Sequence, residues 1–477
     1  MKRIAAIFFL LVPLAAAAVT NVPPPGLPGP VQDALARAGV PASAVAAVVA
    51  HVQGGTPLVE HNSTEPMNPA SVMKLVTSFA ALDLLGPAYT FGTDFYATAE
   101  ISGGVLDGDL FIRGGGDPKL TADRLWLALH ELRSRGVRQI RGDVVIDRSY
   151  FAPVIHDPNR FDNDPRRAYN VGPDAFLVNF HAVEFRFVPE GNAVRVVAQP
   201  DLPNVEIASR IRPVAGPCTW WRGDLQHDFL ENGLVATVVF SGKYPVACGE
   251  NTWSLSVFDS AGFSESVLRW IWSESGGKLT GKVRAGTVPA NARPLLHVES
   301  EPLANLVRDM NKYSNNVMAR QIFLALSTRQ GPGEAQASAQ AVRQWLASRR
   351  IDAPGFAIEN GAGLSRADRI TAGTLVALLQ NAWATPLMPE IAASMPVFAT
   401  DGTLKSRRGA GATGQAHIKG GTLTGVQSIA GYVIDLRGNR WAVAMMINHP
   451  KANAAQPALD ALIEWVHALD TNRRSSP

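Results

Sequence analysis

Apolar residues fall at helical spacing in several separate stretches of the chain and at strand-like density in others. The linker Pro23-Pro24-Pro25-Gly26-Leu27-Pro28-Gly29-Pro30 has fixed φ angles and missing donors that exclude regular structure. After it, the pattern predicts a helix over 31–38. The β-branched run 45–52, the pair Gly54-Gly55 and the segment Pro57-Leu58-Val59-Glu60 predict strand, turn and strand. Val72, Leu75, Val76, Phe79 and Leu82 then share one helix face. Asn68 stands where it would cap that helix, Pro69 where its missing N–H costs nothing, and Gly86-Pro87 where the helix stops. From 90 to 289 short β-rich runs alternate with Gly and Pro turns, with one clear helix over 121–136. Helical spacing returns over 301–311, where Leu303, Leu306, Val307 and Met310 share a face, and over 317–326. Three strands over 417–423, 426–434 and 441–447 follow, then a helix over 455–469. Strands, helices, strands and a helix predict one α/β sandwich whose sequence is interrupted by a strand-rich insertion.

Composition narrows the class. The chain has 477 residues, 46 % apolar and 18 % charged, with 42 Gly and 33 Pro, which suits a loop-rich globular protein of two or three cores. Forty-four basic residues against 41 acidic give +3, too little to argue for nucleic acid as a partner. The ten His do not cluster and neither HExxH nor CxxC occurs, so no metal is expected. Lys2 and Arg3, an apolar run over 4–12 and the small residues 15–18 form a secretory signal pattern with cleavage near Ala18; an uncleaved anchor is the other reading. Export to the periplasm with no stable membrane insertion after cleavage is expected. In an oxidising compartment the only two cysteines, Cys218 and Cys248, read as a structural bridge closing a loop of about 30 residues, worth roughly 3–4 kcal/mol. A nucleophilic cysteine is the alternative, but neither stands in a catalytic context.

Ser71-Val72-Met73-Lys74 puts a hydroxyl and an amine three residues apart at the start of a buried helix, on one face. A serine becomes a nucleophile when a neighbouring base takes its proton, and a lysine can do so only when neutral. Burial and a nearby second cation push it that way. Taken alone, the pattern more often describes a capped helix start with a snorkelling lysine. Tyr313-Ser314-Asn315-Asn316 lies in a break between helices, and His417-Ile418-Lys419-Gly420-Gly421-Thr422 puts a lysine on a strand followed by glycines. Ser-x-x-Lys, Ser-x-Asn and Lys-x-Gly in that order resemble the three motifs of penicillin-binding proteins and serine β-lactamases. About 240 residues separate the first two motifs. Such an insertion resembles the D-alanyl-D-alanine carboxypeptidase/endopeptidase family of the penicillin-binding protein 4 type, as do Gly114-Gly115-Gly116-Asp117-Pro118, Asn360-Gly361-Ala362-Gly363-Leu364-Ser365-Arg366 and Asp401-Gly402-Thr403-Leu404-Lys405. The likeness spans nearly the whole mature chain and is thinnest over 157–289.

The resemblance implies a penicillin-binding, transpeptidase-like α/β domain split into 19–95 and 290–477, with 96–289 as inserted domains, two by the texture of the sequence. It makes Ser71 the nucleophile, Lys74 the base and Ser314 a proton relay. Asn316 would bind the substrate backbone and Lys419 would attract the substrate carboxylate, while Gly421 lets the backbone approach closely. The N–H groups of Ser71 and Thr422 would form the oxyanion hole. Peptidoglycan stem peptides are the implied substrate and β-lactam antibiotics the implied covalent inhibitors; no cofactor is implied. Gly420 departs from the family's Lys-Thr-Gly, removing a hydroxyl that normally helps hold the terminal carboxylate. Gly114 to Asp117 lacks the Gly-Lys-Ser/Thr ending of a phosphate loop and reads as a structural turn. Asp147 and Phe151 resemble the family's substrate-side wall, or equally a solvated acid beside a core ring. The rivals are a β-lactamase, which needs a carboxylate to drive deacylation, and a wall-binding protein with a dormant site.

Overall fold

The run Val45–His51 (β1) is apolar at nearly every position because both of its faces are covered. In the computed structural model, which describes residues 26–153, 156–233 and 235–470, it is the fourth strand of a five-stranded antiparallel sheet. The sheet runs Ala416–Leu423 (β3), Val426–Ile434 (β4), Arg440–Asn448 (β5), β1 and Val59–His61 (β2). Val45, Ala47 and Val49 pack towards the helices Gly29–Ala38 (α1) and Gln456–His467 (α10). Ala46, Val48 and Ala50 pack towards the opposite layer. That layer holds Lys74–Leu84 (α2), with Ala122–Ser134 (α3) and Ser260–Glu274 (α4) intervening in the chain before Leu303–Lys312 (α5), Asn316–Ala325 (α6), Ala335–Ser348 (α7), Ala372–Trp383 (α8) and Met388–Ser394 (α9). Phe79 of α2 meets Trp345 of α7 edge to face at 5.0 Å, a contact that adds about 0.5–1.5 kcal/mol beyond burial.

The inserted part leaves and rejoins at one place. Strand Gly92–Ala97 pairs antiparallel with Arg293–Glu299, inside a five-stranded sheet completed by Leu110–Gly114, Val144–Asp147 and Val283–Ala285. Helices α3 and α4 share its core. Two three-stranded sheets follow, one of Ala193–Gln199, Val183–Glu190 and Asn251–Leu255, the other of Val205–Val214, Val235–Pro245 and Leu225–Asn232. Phe185 and Phe187 of one meet Phe240 of the other at 5.0 and 5.1 Å. Cys218 and Cys248 form a disulfide. No described helix is long and apolar enough to cross a membrane, and the signal pattern with its cleavage near Ala18 lies outside the described residues.

The structure corrects several sequence expectations. Helix α1 begins at Gly29 rather than after the linker, because Pro30 in the first turn lacks only a donor that would be unpaired anyway. Asn68 and Pro69 do not open an α-helix. Its first turn is the 3-10 turn Ala70–Met73, and α2 starts only at Lys74. Helix α4 falls in the stretch read as nearly all strand; Asp259 caps it through the Gly262 N–H at 2.7 Å. Helices α7 and α8 occupy a stretch for which no element is predicted.

Candidate active site

Asn68 anchors the turn that carries Ser71. Its Oδ1 accepts the Ala70 N–H at 2.9 Å, its Nδ2 donates to Ser365 O at 2.8 Å, and its backbone exchanges two bonds with the Asn448 amide. Ala70 is held at φ +46, a left-handed conformation uncommon for alanine and frequent at functional sites. Ser71 follows at once, and its N–H meets no acceptor among the described residues.

Lys74 is fully buried one turn later. Its Nζ lies 3.1 Å from Ser71 Oγ and 2.6 Å from both Asn316 Oδ1 and Ala362 O. A neutral amine has two hydrogens and one lone pair. The Asn316 amide oxygen and the Ala362 carbonyl take the hydrogens, which leaves the lone pair for the Ser71 hydroxyl. Burial holds Lys74 well below the usual lysine range, the charges of Lys419 and Arg320 lower it further, and Asp368 opposes them.

The second hydroxyl stands across from this pair. Ser314 takes φ +54 in the break between α5 and α6. Its Oγ accepts from Lys419 Nζ at 2.8 Å, and Lys419 also donates to Gly420 O at 2.8 Å. Lys419 is fully buried, and burial lowers it to about 7, so it is partly charged at neutral pH. Asn315 caps α6 through the Met318 N–H at 3.0 Å, which presents Ser314 and Asn316 on the same side. Gly421 pairs with Ser428 on β4. A Cβ there would lie 2.3 Å from Ser428 Oγ, 2.7 Å from Pro69 O and 2.9 Å from Ser71 N, so β3 and the turn that carries Ser71 touch through a glycine. Thr422 is exposed at the strand end, and its Oγ1 donates to Gln427 Oε1 at 3.2 Å.

The model of the D-Ala-D-Ala carboxypeptidase 3 (S13) family matches residues 29–469. The chain belongs to that family. A D-alanyl-D-alanine carboxypeptidase of Actinomadura sp. (strain R39) is 28% identical over 404 residues, 81% of this chain and 74% of that one. DacB of Haemophilus influenzae is 25% identical over 406 residues, 82% of each chain. The crystal structure of penicillin binding protein 4 (dacB) from Haemophilus influenzae matches with TM-score 0.74 at 22% identity, covering 92% of this chain and 99% of that one. The fold of this S13 chain is thus the mixed α/β penicillin-binding fold with inserted domains.

Of the residues singled out in the S13 sequence, Ser71, Lys74, Ser314, Asn316, Lys419, Gly421 and Thr422 gather at one site, while Cys218 and Cys248 lie in the insertion. With Phe151, Asp147 lines a cavity of about 920 Å³, and it is not the solvated acid of the alternative reading. It is 3% exposed and accepts the Ser149 and Val288 N–H groups at 2.9 and 2.8 Å, while Phe151 is buried beside Ala175 and Leu324. Gly114 ends the strand Leu110–Gly114, and Gly115 and Gly116 continue it as tightly packed structural backbone. Cβ atoms at these glycines would strike Ala175 O at 2.2 Å, Gly92 O at 2.2 Å and the Phe151 ring at 2.6 Å.

Sequence reasoning missed the residues behind Lys74. Ala362 contributes only a carbonyl, which no side-chain pattern can announce. Gly363 carries it past Ala70 O, to which a Cβ would come within 1.9 Å. The two glycines flanking Ala362 were the available signal: both take positive φ, +71 and +74.

Proposed function

We propose that this S13 protein is an exported, periplasmic serine DD-peptidase acting on peptidoglycan stem peptides through an acyl-enzyme. Residues 19–95 and 290–477 would carry catalysis and 96–289 the insertion. One observation carries the reading: Lys74 Nζ is buried against Ser71 Oγ with both of its neutral-state hydrogens already accepted. Ser71 Oγ attacks the carbonyl between the two terminal D-alanines and passes its proton to Lys74 Nζ. The N–H groups of Ser71 and Thr422 receive the developing oxyanion, where one donor is typically worth about 2.7–4 kcal/mol. Ser314, bonded to Lys419, relays a proton to the leaving amine, and Asn316 Nδ2, without a partner among the described residues, binds the substrate backbone. Water then releases the acyl group. The same steps on a D-Ala–diaminopimelate cross-link are endopeptidase action. A cavity of about 450 Å³ beside the site bears Asp157, Arg160, Phe161, Glu359 and Arg366, and this mixed charge suits a zwitterionic side chain on the stem. Export rests on the terminal sequence pattern and is in keeping with the disulfide.

No carboxylate bonds to Ser71, Lys74, Ser314 or Lys419 among the described residues, which argues against a β-lactamase's rapid deacylation. The test is incubation with benzylpenicillin, read by intact mass and peptide mapping. One stable equivalent on Ser71, with D-alanine released from a D-Ala-D-Ala peptide before the drug and not after, is the expected result. Rapid drug turnover without an adduct supports the β-lactamase, and a folded protein with no adduct and no hydrolysis supports the dormant binding protein.

Gly420 is not required by packing. A Cβ there meets only Leu404 Cδ2, at an ordinary 3.6 Å. Gly420→Thr is therefore expected to fold normally and restore a hydroxyl towards the substrate carboxylate. A gain of about tenfold in kcat/KM on a D-Ala-D-Ala peptide is the worth of one hydrogen bond to a charged group. An unchanged kcat/KM means Lys419 and Thr422 already hold that carboxylate.

A further inference from the structure

Arg320 lies one turn beyond Asn316 on α6 and is 6% exposed. Its Nη1 donates to Tyr169 O at 3.2 Å and Val171 O at 2.5 Å. Among the described residues no carboxylate comes within ion-pair distance of it, although 24 other pairings occur. Burial lowers the guanidinium to about 10, which still leaves it charged at neutral pH. Glu359 is the carboxylate whose charge acts on it, from beyond ion-pair distance, and a buried cation without a directly paired counter-ion is costly to fold around. Its backbone acceptors hold one end of the 168–171 turn, a job an uncharged donor could do. The charge itself acts on Lys74, whose amine shares the Asn316 side of the same helix.

We propose that Arg320 is a positioning residue of the acylation step, its fixed charge keeping Lys74 free of a proton so that the amine can take one from Ser71. The inference rests on the roles assigned above to Ser71 and Lys74. In that step the Ser71 Oγ–H bond breaks, its proton passes to Lys74 Nζ, and Oγ bonds the carbonyl carbon. The C–N bond then breaks, and its nitrogen receives the proton through Ser314.

Lys419 is the other cation acting on Lys74, but its own charge fades from about pH 7 upward. Arg320 is the cation that persists across the working range. The opposing group is Asp368, fully buried, with Oδ1 accepting the Glu359 N–H at 2.8 Å and Oδ2 unpartnered. Burial raises it to about 7, and its ionised form favours a protonated Lys74. The remaining charged or titratable groups facing Arg320 across the adjoining cavity are His156, Asp157 and Arg160 from the insertion, Glu334 ahead of α7, and Glu359 and Arg366. Glu359, whose charge favours the guanidinium, is itself paired with Arg160 at 3.0 Å, and burial lowers His156 below its ordinary value. None of them replaces Arg320.

The experiment is the rate of acylation by benzylpenicillin across about pH 5 to about pH 10, followed by intact mass, for wild type, Arg320→Met and Arg320→Lys. Arg320→Met is expected to move the acid limb up by about one pH unit, so that acylation on that limb slows about tenfold while the alkaline plateau holds. Arg320→Lys restores the wild-type limb, and Asp368→Asn moves it down. Arg320→Gln, which keeps a donor for the turn, takes the place of methionine if the latter does not fold. A limb that stays put in a folded variant overturns the inference, as does a lower plateau without a limb shift, which marks a structural role. A raised KM for an acidic stem peptide at an unmoved limb also overturns it and makes Arg320 a substrate contact. A wild type that forms no adduct overturns the Ser71 assignment and this inference with it; an acylated wild type with an unmoved variant limb overturns this inference alone.

Discussion

Lys74→Met is expected to lose acylation by benzylpenicillin and D-alanine release by about 10²- to 10⁴-fold, the usual worth of a positioned general base. Methionine nearly matches the length of lysine but has no lone pair for the Ser71 proton, 3.1 Å away in the wild type. Lys74→Arg should fail as badly, since a guanidinium cannot give up its proton. The loss is chemical rather than structural. Lys74 is protonated in the unfolded chain below its ordinary value of 10.5, whereas burial disfavours that proton in the fold. The unfolded state therefore binds more protons over the window between the depressed folded value and 10.5, and wild-type stability rises with pH there. Methionine removes that contribution, although Lys419 retains one of the same sign. Thermal melts at several pH values should show a shallower rise for the variant, while the mass adduct disappears. A steeper rise, or wild-type acylation, would contradict the base assignment.

Gly421→Ala should damage fold and chemistry together. The new methyl would enter a space already occupied by Ser428 Oγ, Pro69 O and Ser71 N, two of them backbone atoms that cannot swing aside. Overpacking of this kind costs about 1–3 kcal/mol. Relief comes only by moving β3 away from the 3-10 turn, and that displaces the Ser71 N–H from the oxyanion position. Losing one such donor costs about 10²- to 10³-fold in rate. The expected result is a lowered Tm with an acylation rate down by at least that factor. Gly420→Ala, one residue away with open space at 3.6 Å, is the control expected to change Tm little. Equal effects at the two glycines would refute the contact as the cause.

Much of the part that carries the three motifs was legible in the chain. The strands over 417–423, 426–434 and 441–447 match β3, β4 and β5 to within a residue at each end. Strand alternation and turn chemistry are local properties, and the apolar runs were long enough to speak for themselves. Ser71 and Lys74 were legible for the same reason: three residues on a helical turn bring their side chains together whatever the rest of the protein does. The order of the three motifs pointed to one site before any geometry was known.

What the sequence could not contain was the state of that lysine. Its two acceptors, Asn316 and Ala362, lie 242 and 288 residues away, and one is a backbone carbonyl. The burial of Asp147 and the turn at Asn68 have the same origin: each satisfies N–H groups of segments brought to it by the fold, including Val288 for Asp147 and a 3-10 turn in place of an α-helical cap for Asn68. Arg320 reads as an ordinary helix-surface arginine until burial removes its solvent. The sequence by itself determined the elements, the motif order and the short-range pairs, because these follow from backbone periodicity and steric limits over a few residues. Only the tertiary structure decided protonation and field, because burial and charge–charge distance depend on chain segments hundreds of residues apart.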